Sequence, residues 1–197
     1  DTEGIEEGTT VIIRAHGISP QERDTLKRKG VMIVDATCPK VGRVQSVIKK
    51  HAAQDYRIVI VGDAEHPEVN GLLGYAGGRG TVVSSLEDVD RLPAMEKVCV
   101  VAQTTQSLDE YREIVEKIRG RVPETIVFDT ICDSTERRQA EIKDLACAMD
   151  AVFIVGGRNS ANTQRLAQIS LSMGTPTFHI ETAEEIREVP LHTYNRI

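Results

Sequence analysis

Apolar, β-branched runs alternate with helix-period segments along the whole of this chain, and that alternation restricts it to an α/β architecture. VIIRAHG, VMIVDATC, RIVIVGD, KVCVVAQTT, TIVFDTIC and AVFIVGG read as strands buried on both faces, with the shorter TVVSS and TPTFHI as two more. Between them QERDTLKRKG, VGRVQSVIKKHAAQ, SLDEYREIVEKIRG, TERRQAEIKDLACAMD and NTQRLAQISLSMG place apolar residues on one helical face and charge on the other. Gly30 and Gly174 stand where helices should end. The fold class is α/β with mostly parallel sheets, and the recurrence of strand-helix units suits several small lobes.

In parallel α/β proteins ligands bind beyond the carboxyl ends of the strands. Here those ends carry His16, Cys38, His66 with Glu68, Thr104 with Thr105, Cys132, and Ser160 with Asn162, which points to one shared site. Against 24 basic residues stand 30 acidic ones, a net charge of -6, with no basic run and few aromatics, which argues against nucleic acid. No apolar run has membrane-spanning length and no segment resembles a signal peptide, so a cytoplasmic protein is the default. Asp1 is not an initiator Met and LHTYNRI stops where another strand would begin; the sequence reads as an excised piece of something larger.

The four cysteines fall into two pairs. Cys99 and Cys147 lie in apolar runs and read as small core residues. Cys38 and Cys132 close strands, where a thiol faces the crevice. No CxxC pair suggests thiol exchange, so metal or iron–sulfur ligation explains them better than a disulfide. His66 and Glu68, with Pro67 fixing the turn between them, suit proton transfer if burial raises the carboxyl pKa. An acid-decorated helix N-terminus explains them equally well. GGRNSANTQ reads either as ordinary capping by Ser160, Asn162 or Thr163, or as an anion cradle of backbone N–H groups at a helix start. It is not a P-loop, and no GxGxxG follows the first strand. His16 could serve the same anion, or be merely structural. Thr104 and Thr105 could simply cap the next helix.

Taken in order, AHG, DATCP, HPEVNG, QTT, IC with a downstream Thr and RQ, and GGRNSAN resemble the 4-hydroxy-3-methylbut-2-enyl diphosphate reductases of the non-mevalonate isoprenoid pathway, from about Val11 to the end. The resemblance implies an iron–sulfur oxidoreductase. Its reaction is a reductive dehydroxylation giving isopentenyl and dimethylallyl diphosphates at a 4Fe-4S cluster held by three cysteines, fed by ferredoxin or flavodoxin. It also implies three α/β lobes in a pseudo-threefold arrangement around the site, here the C-terminal part of the first in 1–37, the second in 38–131 and most of the third in 132–197. Cys38 and Cys132 match two cluster ligands, the third lying outside this chain. Glu68 matches the proton source, Thr104 the partner of the substrate hydroxyl, and His16, His66, Ser160 and Asn162 the diphosphate contacts. Thr105 and Thr135 match motif positions without a definite role. Ala161 departs from a second Ser found in many members, which would lose one diphosphate hydrogen bond or pass it to backbone N–H. An alternative from another class is a non-redox Rossmann-like module that binds a phosphate or nucleotide through the same Gly-rich turn. Such a module has no use for Cys38 and Cys132.

Overall fold

A computed structural model describes residues 4–197. Eight strands and seven helices alternate: β1 (Thr10–Ile13), α1 (Pro20–Arg28), β2 (Met32–Asp35), α2 (Pro39–Ala52), β3 (Arg57–Val61), α3 (Pro67–Tyr75), β4 (Gly80–Val83), α4 (Leu86–Asp90), β5 (Lys97–Ala102), α5 (Leu108–Arg119), β6 (Glu124–Val127), α6 (Asp133–Ala148), β7 (Val152–Val155), α7 (Ala161–Ser172) and β8 (Thr177–Ile180). Short 3-10 turns at Ala183–Glu188 and Leu191–Thr193 follow. The strands form a pair β1-β2, a sheet of order β4-β3-β5-β6, and a pair β7-β8, every pairing parallel. Parallel neighbours need crossover connections, and the amphipathic segments supply them as helices. Two compact units result: residues up to Thr104 with Asp109–Thr130, and Thr105–Leu108 with Ile131–Ile197.

In the first unit β3 and β5 lie side by side at the centre of their sheet, with Ile58 opposite Cys99 and Ile60 opposite Val101. All of Ile58, Ile60, Cys99 and Val101 are fully buried, and α2 and α3 cover them with Val44, Ile48, Val69 and Leu72. The second unit packs Ile142 of α6 and Ala167 of α7 against Val152 and Ile154 of β7.

Local chemistry sets the element ends. Ser19 and Glu22 form a reciprocal capping box at the start of α1, with Pro20 in its first turn. Gly30 and Gly174 take φ of 68° and 82° just beyond α1 and α7, the left-handed conformation that closes a helix without a Cβ penalty. Asp55 adopts φ 63° in the turn between α2 and β3.

Two features differ from the sequence reading. Burial on both faces holds for β3 and β5, whereas β1, β2 and β7 leave Ile12, Met32 and Val155 at 66%, 63% and 72% exposure. The pleat sends alternate side chains to opposite faces. Ile13 is accordingly buried while Ile12, opposite Val34, faces out. Cys147 is exposed rather than a core residue, although Cys99 is buried. The inner stripe of α6 runs through Thr135, Gln139, Ile142 and Ala146, and one further residue turns the helix by about 100°. Among the described residues no helix is long and apolar enough to cross a membrane.

Candidate functional site

In the first unit the loops after β1, β2, β3 and β5 bring several of the singled-out side chains together. His66 is the N-cap of α3 and Pro67 its first residue, so Glu68 lies in the first helical turn. The His66 Nδ1 accepts from the Glu68 N–H at 3.2 Å, which leaves the ring proton of a neutral imidazole on Nε2. Burial, and then the neighbouring His16, lower the His66 pKa. The two rings meet edge to face with centroids 5.2 Å apart. The Nδ1 of His16 is buried and makes no hydrogen bond among the described residues.

Glu68 is 1% exposed. Its Oε1 accepts from the Thr104 N–H and its Oε2 from the Thr104 hydroxyl, both at 2.7 Å. Burial pushes its carboxyl pKa up, and these two bonds pull against that shift without cancelling it. A carboxyl in this setting holds its proton to higher pH than an exposed one. Cys38 is the N-cap of α2, and its N–H donates to the Ala15 carbonyl at 3.0 Å, which ties the thiol-bearing loop to the one carrying His16. Beside His16 lies a cavity of about 520 Å³ lined by Arg14, Asn70, Gly71, Leu26 and Ile13; it opens on His16 rather than on Glu68.

In the second unit Cys132 is the N-cap of α6, with Sγ 3.0 Å from the Ser134 hydroxyl, and Thr135 is buried in the turn that follows. Ser160 is the N-cap of α7. Its oxygen accepts from both the N–H and the hydroxyl of Thr163, so its own proton remains to be donated. Ala161 and Asn162 open α7, where backbone N–H groups and the helix dipole favour an anion. Thr105 belongs to this unit by its packing.

The cofactor implied by the sequence needs thiolate ligands. Cys38 and Cys132 suit that in kind: both are half-buried, neither is in a disulfide, and neither spends its sulfur capping the helix it begins. Among the described residues no three His, Cys, Asp or Glu side chains gather to hold a metal ion.

The sequence reading gave no role to three buried glutamines, although Gln103 and Gln139 stand in the QTT and RQ motifs. Gln103 (2% exposed) accepts the Asp63 N–H at 2.9 Å and packs so closely that a Cβ at Gly62 would meet its side chain at 2.8 Å. Gln106 and Gln139 are 3% and 5% exposed. For Gln103 its place directly before Thr104, and for Gln139 its helical spacing from Thr135, were the available signals; Gln106 had none.

The chain matches the LytB protein family over residues 1–197. It is 50% identical over 184 residues to the 4-hydroxy-3-methylbut-2-enyl diphosphate reductase of Citrifermentans bemidjiense, covering 93% of this chain and 65% of that protein. To the enzyme of the same name from Aquifex aeolicus it is 45% identical, covering 94% and 65%. The solved E-1-hydroxy-2-methyl-but-2-enyl-4-diphosphate reductase of Plasmodium falciparum superposes with a TM-score of 0.93 at 31% identity, over 99% of this chain and 63% of that one. The chain thus spans about 65% of the length of these curated relatives. A match along its full length, with identities of this order and a shared fold, establishes that the chain belongs to the LytB family.

Proposed function

We propose that this chain is the larger part of a 4-hydroxy-3-methylbut-2-enyl diphosphate reductase acting in isoprenoid biosynthesis. In the reaction the allylic C–O bond breaks, two electrons and two protons enter, and water leaves with formation of isopentenyl or dimethylallyl diphosphate. The observation that carries this reading is the buried Glu68 carboxyl with both Thr104 donors on it. When protonated, Glu68 gives its proton to the Thr104 Oγ1, and the Thr104 hydroxyl gives its own to the departing oxygen of the substrate. His66 Nε2–H, the Ser160 hydroxyl and the first N–H groups of α7 are donors suited to a diphosphate, and His16 and Asn162 are further candidates for contacting it. Cys38 and Cys132 would hold a 4Fe-4S cluster together with a ligand from outside this chain; bound there, it would relay the donor's two electrons one at a time and supply Lewis acidity. Residues 1–37 would be the C-terminal part of a first lobe, 38–131 a second and 132–197 most of a third, the electron donor a ferredoxin or flavodoxin, and the setting the cytoplasm. The half-buried thiols favour this over a non-redox phosphate module.

The test uses the full-length protein. Glu68→Gln should lower kcat at least about a hundredfold with substrate affinity and iron content retained; a parental rate removes Glu68 from proton transfer. Cys38→Ala or Cys132→Ala should bleach the visible absorption of the reconstituted protein, and an unchanged spectrum in both overturns the ligand assignment.

A further inference from the structure

Where β3 and β5 run out, one side chain carries their pairing a step further. The Gln103 N–H donates to the Val61 carbonyl at 2.8 Å, the last bond of the parallel ladder. Past it β3 turns away toward α3, and the ladder no longer offers its main-chain donors a partner. The Gln103 Oε1 supplies one, accepting the Asp63 N–H at 2.9 Å. The amide reaches the turn only because residue 62 is glycine: a Cβ there would stand 2.8 Å from Oε1 and 2.9 Å from the Gln103 Cβ. From Asp63 the bonds run on to the acid. Its Oδ1 accepts from the Glu65 N–H at 3.0 Å and its carbonyl from the His66 N–H at 3.1 Å, and His66 in turn caps the Glu68 N–H. The Glu68 carboxyl then closes on the N–H and hydroxyl of Thr104, the residue after Gln103. Two successive residues at the end of β5 thus hold both ends of the 63–68 segment, and all of these residues belong to the first compact unit.

We propose that Gln103 is a positioning residue, whose side-chain bond to Asp63 sets the 63–68 segment so that the Glu68 carboxyl meets both Thr104 donors. The inference rests on the proton role given to Glu68 and Thr104 above, and it adds a residue that acts through the acid. Between its two fixed ends the segment has few soft joints, since planar peptides leave two torsions per residue and Pro67 fixes one of them. Freed at Asp63, it needs to shift Glu68 by only about 1 Å for a rate loss of up to about a hundredfold. The rival account is that the fully buried Val69 and Leu72 place α3 unaided, with the amide merely filling its space.

In the full-length protein, Gln103→Met and Gln103→Glu would be compared with the parent by amide hydrogen exchange and by kcat at each variant's own pH optimum, with Gln103→Met also combined with Glu68→Gln. Methionine keeps the length and removes the acceptor. Glutamate loses the amide donor as methionine does but retains an oxygen for the Asp63 N–H, ionised or not. Gln103→Met should speed exchange at least about tenfold at both Asp63 and Thr104 and lower kcat between about tenfold and about a hundredfold. Gln103→Glu should lie closer to the parent on both counts. Combined with Glu68→Gln, the methionine should cost less than about a further twofold, because the two changes remove the same step. Faster exchange at Asp63 with Thr104 exchange and kcat at parental values is the pattern of a purely structural amide and overturns the proposal. So do unchanged exchange at Asp63, equal losses in the two Gln103 variants, and the same fold loss with and without the Glu68 carboxyl. Should Gln103→Met not fold, Gly62→Ala, which keeps the glutamine and crowds its amide off Asp63, is judged by the same criteria. A parental rate for Glu68→Gln would sink the proton role, and the exchange data, which need no turnover, would then decide the clamp: a joint response at Asp63 and Thr104 sustains it, and a response at Asp63 alone overturns it.

Discussion

Burial moves the two titrating side chains at the start of α3 in opposite directions, and the pH dependence of stability should separate them. Glu68 has a raised folded pKa, so its stabilisation is complete below the unfolded value of about 4.3 and drains away as pH rises through the folded value. His66 has a lowered one, so its stabilisation is complete above about 6.5 and is lost as pH falls through the folded value. In thermal melts from acid to neutral pH, Glu68→Gln should gain on the parent as pH rises; parallel curves would mean that this carboxyl does not titrate with folding. His66→Asn keeps an acceptor for the Glu68 N–H, removes the titration, and should flatten the acid side of the curve. Strand-end position made these residues legible in the sequence. The bond between Glu68 and Thr104 was not, because the partners lie 36 residues apart and each has an ordinary use at a helix start. Gln139 was visible in the RQ motif but its burial was not, since a polar residue on a helix reads as solvent-facing until its partners are seen.

Elements were legible where one physical signal dominated. Past Arg57 and Lys97, IVIV in β3 and VCVVA in β5 are unbroken apolar runs, and they occupy the buried centre of the sheet. Ile60→Ala should cost roughly 2–5 kcal/mol by denaturant unfolding, because the site is closed on all sides. In β1, β2 and β7 the same kind of run meets solvent on one face, since the residues that would cover it are not set by the strand itself. The helix α3 was legible only at its start, because HPEVNG carries a turn-forming Pro, Asn and Gly that outweigh its apolar spacing. The turn before β3 offers a sharper measurement. Asp55 tolerates its left-handed φ, and its exposed ion pair with Arg79 contributes little. Asp55→Gly should therefore stay within about 0.5 kcal/mol of the parent, while Asp55→Val should lose about 1–2 kcal/mol. Equal losses in urea titrations would show the ion pair, not the backbone, to be decisive.

At the scale of the whole molecule the two compact units have unequal cores. The cluster around β3 and β5 is built from residues at 0–1% exposure, whereas the one around β7 keeps 5–7% at Ile142, Val152, Ile154 and Ala167. Native-state hydrogen exchange should find the slowest amides in β3 and β5 and faster ones throughout β7 and β8; the reverse order would place the stability in the second unit. The α/β class was plain from alternation alone. How the strands divide into sheets of two, four and two was not, because periodicity reports which residues are buried and carries no information on which strands pair. The distribution of sulfur has a consequence of a different kind. Cys147 meets solvent on α6, while Cys99 is sealed in β5 with its thiol pushed up to about 12 by burial. An isotope-coded alkylating reagent would mark the first at once and the second only in moments when β5 leaves its sheet. The ratio of the two labels makes the native chain a timekeeper of its own rarest opening, with no probe attached.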